Sequence, residues 1–419
     1  MVRIKPFRAV HPPKELYEKV AAPPYDVLSY SDCENLARDN KYSLIHITRS
    51  EVDLPKDVDC HSEIVYKKAK ENLETFFNNR YLVQEDEEIF YVYRQVMNGR
   101  SQTGFIGCVN VYDYINGIIK KHENTRKDKE EDRIRHIEET KCQSEPVFLS
   151  YKSFLPLNDI IQNVTARSPY IDFISADKVR NILWEIREPS VIQSVVDNFK
   201  KLDCLYIADG HHRSAAAVNY ALRMDEETKN SGGKEDREYH YFMAVVFPDR
   251  DLRIMAYNRA VKDLNNLSEE EFIVKISERF TISEVSSNDK DGGYAPESKK
   301  EFGMYMSGRW FSLTIKPQYY IDDPVLSLSA SILQNNILEP FLGIKDPRTD
   351  KRIDFIGGIK GTAYLKSCVD KKEYSVVFSM FPTTMEELFK VSDAGKLMPP
   401  KSTWFEPKLL SGITLHKLD

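Results

Sequence analysis

The pattern of apolar and polar positions along the chain predicts both helices and strands. Apolar residues recur with helical spacing in some segments, whereas short apolar runs bounded by turn signals in others are typical of strands. The predicted elements are helices at 62–79 and 268–280, strands at 89–93, 105–111 and 241–247, and further alternating elements that include 374–381 and 385–391. The pattern therefore predicts an α+β, or mixed α/β, fold.

Polar stretches divide this pattern into parts. Residues 226–238, with Ser231-Gly232-Gly233, are expected to form a mobile polar insertion, and residues 286–300 a flexible loop. The predicted division is an N-terminal extension (1–85), a core (86–264), a small α/β lobe (265–320) and a C-terminal α/β part (321–419).

The most informative polar cluster follows the apolar run 205–208. It is the DGHHR motif: Asp209, Gly210, His211, His212 and Arg213, followed by an alanine-rich segment. The pattern predicts strand, tight turn and helix, and a helix N-terminus favours an anion. Arg213 adds donors that match phosphate oxygens. Asp209 would repel an anion, so it is expected to hold a cation or to orient a histidine. The alternative is that Asp209 caps the helix and pairs with Arg213 at the surface.

A second charged turn follows the apolar residues 114–119, which are expected to form a strand. Side chains that could contact an anion there are Lys120, Lys121, His122 and Arg126. Glu123 could act as a base or a metal ligand. Thr125 and Asp128 approximate a capping box for a highly charged helix over 126–140. The alternative is a solvated helix start that only forms salt bridges.

A third cluster lies in the proline-rich segment 398–408. Three prolines make this segment stiff and non-helical. Lys401, Ser402 and Thr403 could donate several hydrogen bonds to one anion. The alternative is a packing loop anchored by Trp404 and Phe405.

A fourth candidate is the charged turn 343–352 with the glycine-containing strand expected at 353–361. Arg348 and Arg352 could hold a second phosphate or a substrate carboxylate, and Lys360 is a further candidate ligand. Closely spaced glycines permit close approach of a backbone or a ligand. A salt-bridged turn before a strand explains the same residues.

Three of these motifs, in this order, resemble those of the free-serine kinases of the ParB/sulfiredoxin-like superfamily. They are His122-Glu123, the DGHHR motif, and Pro400-Lys401-Ser402-Thr403. The longer strings 121–126, 207–213 and 398–408 resemble more closely a long-chain branch of that superfamily, once catalogued as a domain of unknown function, some of whose members are pyrophosphate-dependent serine kinases. The resemblance runs from Pro23-Pro24-Tyr25-Asp26-Val27 onward and implies a ParB-like core with additional α/β lobes.

The resemblance also implies residue roles. Glu123 matches the general base on the serine hydroxyl, and Asp209 matches the aspartate near the transferred phosphoryl group and its Mg²⁺. The expected ligands of substrate and phosphate are Lys121, His122, Thr125, Arg126, His211, His212, Arg213, Arg348, Lys360, Lys401, Ser402 and Thr403. The expected substrates are L-serine and pyrophosphate, with ATP or ADP as alternative donors.

Composition narrows the alternatives. The 419 residues carry 59 basic and 65 acidic side chains, a net charge of −6, which argues against general affinity for nucleic acid. Six scattered cysteines without a C-x-x-C pair indicate reduced thiols. Without an apolar signal segment or a membrane-length run, we expect a cytoplasmic protein.

The sequence contains no P-loop and none of the protein-kinase motifs. Besides the kinase, two alternatives stay open. One is a nucleotide- or phosphate-binding regulatory protein of the same superfamily. The weaker one is a metal hydrolase that uses His122, Glu123, His211 and His212, although no i, i+4 histidine pair supports it.

Overall fold

Helices and strands both build large parts of the chain, so the predicted α+β (mixed α/β) class is confirmed. The computed structural model describes residues 1–229, 236–290 and 292–419. Contacts divide it into a first unit, Met1–Leu252 with Pro407–Asp419, and a second unit, Arg253–Glu406. The four segments expected from the sequence have other boundaries and stay a prediction.

The first unit alternates short strands with helices. The strands between Met1 and Leu252 are β1 (Ile4–Lys5), β2 (Val10–His11), β3 (Val83–Gln84), β4 (Phe90–Met97), β5 (Arg100–Asn110), β6 (Ile119–Lys120), β7 (Cys142–Gln143), β8 (Val147–Tyr151), β9 (Ile171–Ile174), β10 (Arg180–Ile186), β11 (Leu205–Asp209) and β12 (Tyr241–Pro248). Its helices are α1 (Tyr17–Val20), α2 (Tyr30–Arg38), α3 (Ile45–Thr48), α4 (Glu63–Asn78), α5 (Val111–Ile115), α6 (Lys127–Thr140), α7 (Leu155–Thr165), α8 (Pro189–Phe199) and α9 (His211–Thr228).

A mixed sheet is the centre of the first unit. Its strand order is β6-β11-β8-β12-β5-β4-β10-β9, with β1 paired to β5. The β11–β6 and β12–β8 pairs are parallel, and the other pairs are antiparallel. Asn98 (φ 52°) and Gly99 (φ 77°) form the tight β4–β5 turn, and an Asn-Gly pair favours the left-handed conformation that such a turn needs. The site described below lies at the carboxyl end of β11.

Apolar side chains from α6 to α9 share one buried core with this sheet. Along β11, Leu205 and Ile207 belong to that core, because alternate residues of a strand point to the same face. A second apolar cluster contains Leu44, Ile45 and Leu73 from the N-terminal helical region. Cys142 and Leu415 also belong to this cluster, so the N-terminal region packs against later parts of the first unit.

The second unit has a sheet with helices on both faces. Its strands are β13 (Ile254–Met255), β14 (Tyr257–Val261), β15 (Phe280–Val285), β16 (Glu301–Met306), β17 (Arg309–Ile315), β18 (Ile353–Gly357), β19 (Val376–Met380) and β20 (Trp404–Phe405), and its helices are α10 (Glu269–Arg279), α11 (Ser329–Leu333), α12 (Gly361–Asp370) and α13 (Met385–Asp393). The antiparallel order is β15-β17-β16-β19-β14-β18. One core joins the sheet to α10 and α11, and another joins its opposite face to α12.

The C-terminal segment returns to the first unit. There, β21 (His416–Lys417) pairs with β7.

Most predicted elements are confirmed, several with shifted ends. The expected helices at 62–79 and 268–280 are α4 and α10, and Ser268 and Glu271 form a capping box at the start of α10. The predicted strands are parts of β4, β5, β12 and β19. Among residues 286–290 and 292–300 there is no helix or strand, in agreement with the predicted loop, while its flexibility stays a prediction. Within the insertion expected at 226–238, α9 continues to Thr228, and residues 230–235 lie outside the described residues.

Two predicted strands are wrong in part. The apolar stretch 114–119 is not one strand, because α5 runs to Ile115 and β6 has only two residues. A turn at Asn116 and Gly117, the latter with φ 72°, separates these elements. The strand expected at 353–361 ends at Gly357, and Gly361 (φ 74°) begins α12.

Candidate functional site

The DGHHR motif forms the turn between β11 and α9, as the sequence predicts. Gly210 has φ 90° and ψ 32°, a left-handed conformation that glycine adopts without strain. A Cβ at position 210 would lie 3.3 Å from Cζ of Arg213. Glycine therefore allows the chain to pass directly from Asp209 into the first helical turn, which contains His211 and His212.

Asp209 lies at the end of β11 and accepts two hydrogen bonds. Its Oδ1 accepts from the Gly210 N–H at 2.8 Å, and its Oδ2 accepts from Nζ of Lys408 at 2.8 Å. Burial opposes ionisation, but the cations Lys408 and Arg213 outweigh it and hold the pKa of Asp209 well below its usual range. The N-cap residue of α9 is Gly210, and no side chain caps that helix. Asp209 is thus an ionised carboxylate at the site and not a helix cap.

Lys408 is a site residue that the sequence analysis did not select. Its side chain is 18% exposed, and its carbonyl accepts from Nε2 of Gln95 at 2.9 Å. Gln102 donates both to Oε1 of Gln95, at 2.9 Å, and to the carbonyl of Pro407, at 3.2 Å. Gln95 and Gln102 are buried in β4 and β5. These two amides therefore fix the backbone from which the Lys408 side chain reaches Asp209.

The second charged turn contacts the first turn of α9 directly. The backbone N–H of His122 donates to Nε2 of His211 at 3.5 Å, and the backbone N–H of Arg126 donates to Nε2 of His212 at 3.1 Å. The rings of His122 and His211 meet edge to face, with centroids 4.5 Å apart. The structure therefore brings together the two motifs, including the half-buried Glu123, that are separated by more than 80 residues in the sequence.

His122 and His211 are neutral at ordinary pH. Burial lowers the pKa of His122 to about 4. Burial and the neighbouring His122 ring lower the pKa of His211 well below its ordinary value. Because Nε2 of His211 accepts a hydrogen bond, a neutral ring carries its proton on Nδ1. Neutral imidazoles are required here, since an imidazolium nitrogen cannot accept the backbone N–H.

The Arg213 side chain is buried next to the turn and does not lie on the surface. Only 9% of it is exposed, and its Nη1 donates to the carbonyl of Pro146. Its Nη2 is 3.8 Å from Oδ2 of Asp26. Burial lowers the pKa of Arg213, but Asp26 and Glu145 outweigh this and raise it. These contacts are with protein groups, so Arg213 positions the motif and adds positive charge beneath it, whereas its predicted direct contact with phosphate stays a prediction.

A small cavity of about 40 Å³, lined by both charged and apolar side chains, adjoins Arg213. Arg133, His136 and Glu145 also line it. Nε of Arg213 has no hydrogen-bond partner in the described parts of the chain. A cavity of this size has room for an ordered water, and its charged lining offers such a water hydrogen-bond partners.

The segment around Tyr25 joins the N-terminal region to this site. The Tyr25 N–H donates to Oε1 of Glu145 at 2.9 Å, and its carbonyl accepts from Arg49 at 3.1 Å. The guanidinium of Arg133 lies 4.1 Å from the centre of the Tyr25 ring. The adjacent Asp26 is therefore held beside Arg213. The adjacent prolines Pro23 and Pro24 were a sequence signal for a stiff segment, but they did not indicate a role for Asp26.

Three of the ligands predicted at the second charged turn are exposed or half-buried: Lys121, Thr125 and Arg126. Lys121 is exposed, with Nζ 5.7 Å from the ring centre of Tyr114, and Thr125 is half-buried. The predicted Thr125–Asp128 capping box is wrong, because the N-cap of α6 is Arg126 and no side chain caps it. Arg126 instead forms an exposed ion pair with Asp128 at 2.7 Å. Because the helix begins one residue later than the predicted box requires, Thr125 lies one position before the N-cap.

The remaining predicted ligands lie in the second unit. Lys401 is exposed with φ 57°, Ser402 is buried and donates from Oγ to the carbonyl of Pro399 at 2.7 Å, and Thr403 is half-buried. The buried guanidinium of Arg259 donates to the Lys401 carbonyl at 3.1 Å. The segment is non-helical, as predicted, and its phosphate-binding role stays a prediction.

Arg348 and Lys360 have contacts of their own in that unit. Arg348 is exposed and bonds twice to Asp346, at 2.9 and 3.0 Å. Lys360 is exposed, with Nζ 4.6 Å from the centre of the Tyr364 ring. Their surroundings fit the salt-bridged turn as well as they fit a ligand site.

Comparison with protein families gives one match to the chain. A family model described as "Protein of unknown function (DUF1015)" matches residues 4–334. The chain belongs to the DUF1015 family. A comparison with curated protein sequences gives no match to this DUF1015 protein.

Solved structures similar to this DUF1015 protein share little sequence with it. A mutant of a free serine kinase in complex with AMP is 14% identical, over 78% of this chain and 94% of that chain, with a TM-score of 0.35. A conserved hypothetical protein from Pyrococcus furiosus is 15% identical, over 73% and 93%, with a TM-score of 0.35. SbnI with a C-terminal truncation, from Staphylococcus aureus, is 11% identical, over 73% and 85%, with a TM-score of 0.36. These TM-scores are low for chains that share a whole fold.

The residues at β11 fit a magnesium ion only if the substrate supplies further oxygens. Across the described ranges, no group of three or more His, Cys, Asp and Glu side chains is placed to hold a metal ion. Mg²⁺ commonly uses one or two carboxylates together with waters and substrate phosphates. Asp209 is such a single carboxylate.

No helix in the described parts of this DUF1015 protein is long and apolar enough to cross a membrane.

Proposed function

We propose that this DUF1015 protein is a kinase that transfers a phosphoryl group to the hydroxyl of free L-serine, with pyrophosphate as donor and Mg²⁺ as cofactor. The observation that carries the proposal is the pair of hydrogen bonds from the backbone of His122 and Arg126 to the imidazoles of α9. They place the Glu123 segment beside the Asp209 turn. A carboxylate base next to a cation-rich turn is the arrangement that phosphoryl transfer to an alcohol needs.

In the proposed reaction the serine hydroxyl oxygen attacks one phosphorus of pyrophosphate. A new O–P bond forms, the bridging P–O bond breaks, and inorganic phosphate leaves with the bonding electrons. Glu123 accepts the hydroxyl proton, because an alcohol is a poor nucleophile until a base takes that proton. The products are O-phospho-L-serine and phosphate.

Charge around the transferred group comes from this chain's own residues. Asp209 would hold Mg²⁺, and a bound Mg²⁺ would neutralise charge on the donor oxygens. The first-turn N–H groups of α9 and the buried charge of Arg213 favour an anion at the same turn. Neutral His122 and His211 keep the two motifs joined without adding charge that would depend on pH.

Pyrophosphate as donor rests on the resemblance to the long-chain branch, since its members include pyrophosphate-dependent kinases. Phosphorus NMR of the protein with L-serine, Mg²⁺ and either pyrophosphate, ADP or ATP tests it. We expect a phosphoserine signal, with the largest kcat/KM for pyrophosphate. A preference for ADP or ATP would overturn the donor and keep the kinase. Nucleotide or phosphate binding with no phosphoserine from any donor would overturn the kinase in favour of a regulatory binding protein.

A further inference from the structure

The second unit contains a buried arginine that has no acidic partner. Arg259 lies in β14 with 3% of its surface exposed, and burial lowers the pKa of its guanidinium to about 10, so the group is charged at neutral pH. Among the described residues, no carboxylate forms an ion pair with it. Its Nη1 donates to the carbonyl of Tyr257, and its Cζ lies 4.5 Å from the centre of the Phe355 ring. In the described part of the chain, carbonyl oxygens and ring faces therefore compensate this charge in place of an acid.

The remaining hydrogen bonds of Arg259 hold the loop 400–403. Its Nη2 donates to the carbonyls of Pro400 and Lys401, at 3.4 and 3.1 Å. Because the C=O and N–H of one trans peptide group point in opposite directions, the N–H groups of Lys401 and Ser402 point away from the guanidinium. Neither N–H donates to an acceptor within residues 1–229, 236–290 and 292–419. Arg259 thus leaves two successive N–H groups available to a ligand.

The same loop carries a second cation. Lys401 is exposed, and its left-handed φ of 57° is uncommon for a residue with a side chain. The two carbonyls that Arg259 holds lie on either side of this residue's Cα, so they fix that conformation. The Lys401 ammonium lies 5.8 Å from the centre of the Tyr257 ring and forms no ion pair with the described residues. Successive N–H groups in a turn form a concavity that binds anions, and an ammonium beside them adds to the attraction.

We propose that Arg259 is a positioning residue that keeps loop 400–403 in the shape that binds a phosphate group. It acts through the two peptide groups that it holds, whose N–H groups bond to phosphate oxygens together with the Lys401 ammonium. The inference rests on the proposed function, because the proposed donor supplies the phosphate group. It goes beyond that function, since a buried residue outside the loop then determines donor affinity.

Binding measurements test this role without turnover. Calorimetry measures the affinity of the whole chain for pyrophosphate and, separately, for ADP, each with Mg²⁺. Arg259→Met removes the guanidinium, and Arg259→Lys keeps the charge but replaces the planar fork with one ammonium. The matched control is Arg279→Met, because Arg279 in the same unit also donates to a carbonyl, that of Asn335 at 3.0 Å, and lies 5.2 Å from the centre of the Phe341 ring.

We expect Arg259→Met to bind the preferred diphosphate about tenfold or more weakly, because two N–H donors lose their alignment. Arg259→Lys should lose about threefold or more, and Arg279→Met should stay within about twofold of the unmodified protein. Unfolding curves confirm that each variant is folded. If Arg259→Met does not fold, Arg259→Lys takes its place.

A second readout separates positioning of the loop from general support of the fold. Lys401→Met is measured alone and combined with the Arg259 variant. If Arg259 acts through the loop, the Lys401 ammonium contributes little once the loop has lost its shape. The combined loss of affinity should therefore be clearly smaller than the product of the two single losses.

Unchanged affinity in the folded Arg259 variants would overturn the inference. It would also be overturned by losses that multiply fully with Lys401→Met, by an equal loss in Arg279→Met, or by an unmodified protein that binds neither diphosphate. Failure of the kinase proposal is a different result. If the affinities shift as expected but no donor yields phosphoserine, the positioning role stands and the kinase falls. If phosphoserine forms while the affinities of the Arg259 variants are unchanged, the kinase stands and the positioning role falls.

Discussion

Acidification should destabilise the contact between the second charged turn and α9, and His122 allows the size of the effect to be worked out. Burial lowers its pKa from 6.5 to about 4 in the folded protein. The unfolded chain therefore binds more protons than the folded chain between these values. Stability from neutral His122 is present above about pH 6.5 and is lost as the pH falls towards 4.

The magnitude follows from the two pKa values. One pKa unit corresponds to about 1.4 kcal/mol, so the full loss is about 3 kcal/mol for this single group. At pH 5, where the unfolded histidine is nearly all protonated and the folded one is still neutral, about 2 kcal/mol of that is lost relative to pH 7. The buried ring has 1% exposure, so solvent screening reduces this figure little.

The assay is urea unfolding at pH 7 and pH 5 for the unmodified protein, His122→Asn and His61→Asn. His61 is the control, because its side chain is 51% exposed. The loss of unfolding free energy between the two pH values should be smaller by about 2 kcal/mol in His122→Asn. The His61→Asn variant should keep the full loss. Equal pH dependence in all three proteins would refute the claim that a buried neutral His122 supports the site.

Three further substitutions test the parts of the site separately. Arg213→Met should lower the free energy of unfolding by about 3 kcal/mol or more, since it removes a buried cation and leaves the buried Glu145 without that charge nearby. The exposed Arg126→Met should change it by about 0.5 kcal/mol at most, and urea unfolding measures both. Asp209→Asn should abolish most phosphoserine formation with little change in melting temperature, and a large fall in melting temperature with activity retained at low temperature would indicate a purely structural role. Gln95→Leu should lower the free energy of unfolding by about 1–3 kcal/mol, because the Lys408 carbonyl and the Gln102 amide lose their buried partner. Urea unfolding with unchanged stability would contradict this.

Local sequence patterns predicted the elements around the site because their signals lie within a few residues. An apolar run, a glycine and an alanine-rich segment were enough to predict β11, its turn and α9. The same reasoning failed for Thr125, since the choice of N-cap depends on where the chain enters the helix. That entry is set by the hydrogen bond from Arg126 to His212, about 90 residues away in the sequence.

The parts of the site that the sequence did not predict depend on long-range contacts between ordinary residues. Lys408 follows Pro407 at the end of the proline-rich segment 398–408, but only the amides of β4 and β5 show why its side chain reaches Asp209. Asp26 acquires a role only beside the buried Arg213. No periodicity or spacing reports such contacts, because their partners lie more than 180 residues away in the sequence.

The most direct test of the central claim is the rate of phosphoserine formation by the unmodified protein and by Glu123→Gln, with Glu131→Gln as control. Glu131 is exposed and pairs with Arg223, away from the proposed base. With L-serine, pyrophosphate and Mg²⁺, Glu123→Gln should remain folded and turn over about 10²-fold or more slowly, since the hydroxyl loses its proton acceptor. Glu131→Gln should keep the full rate. Near-normal turnover by folded Glu123→Gln, or no phosphoserine from the unmodified protein with any donor, would contradict the account.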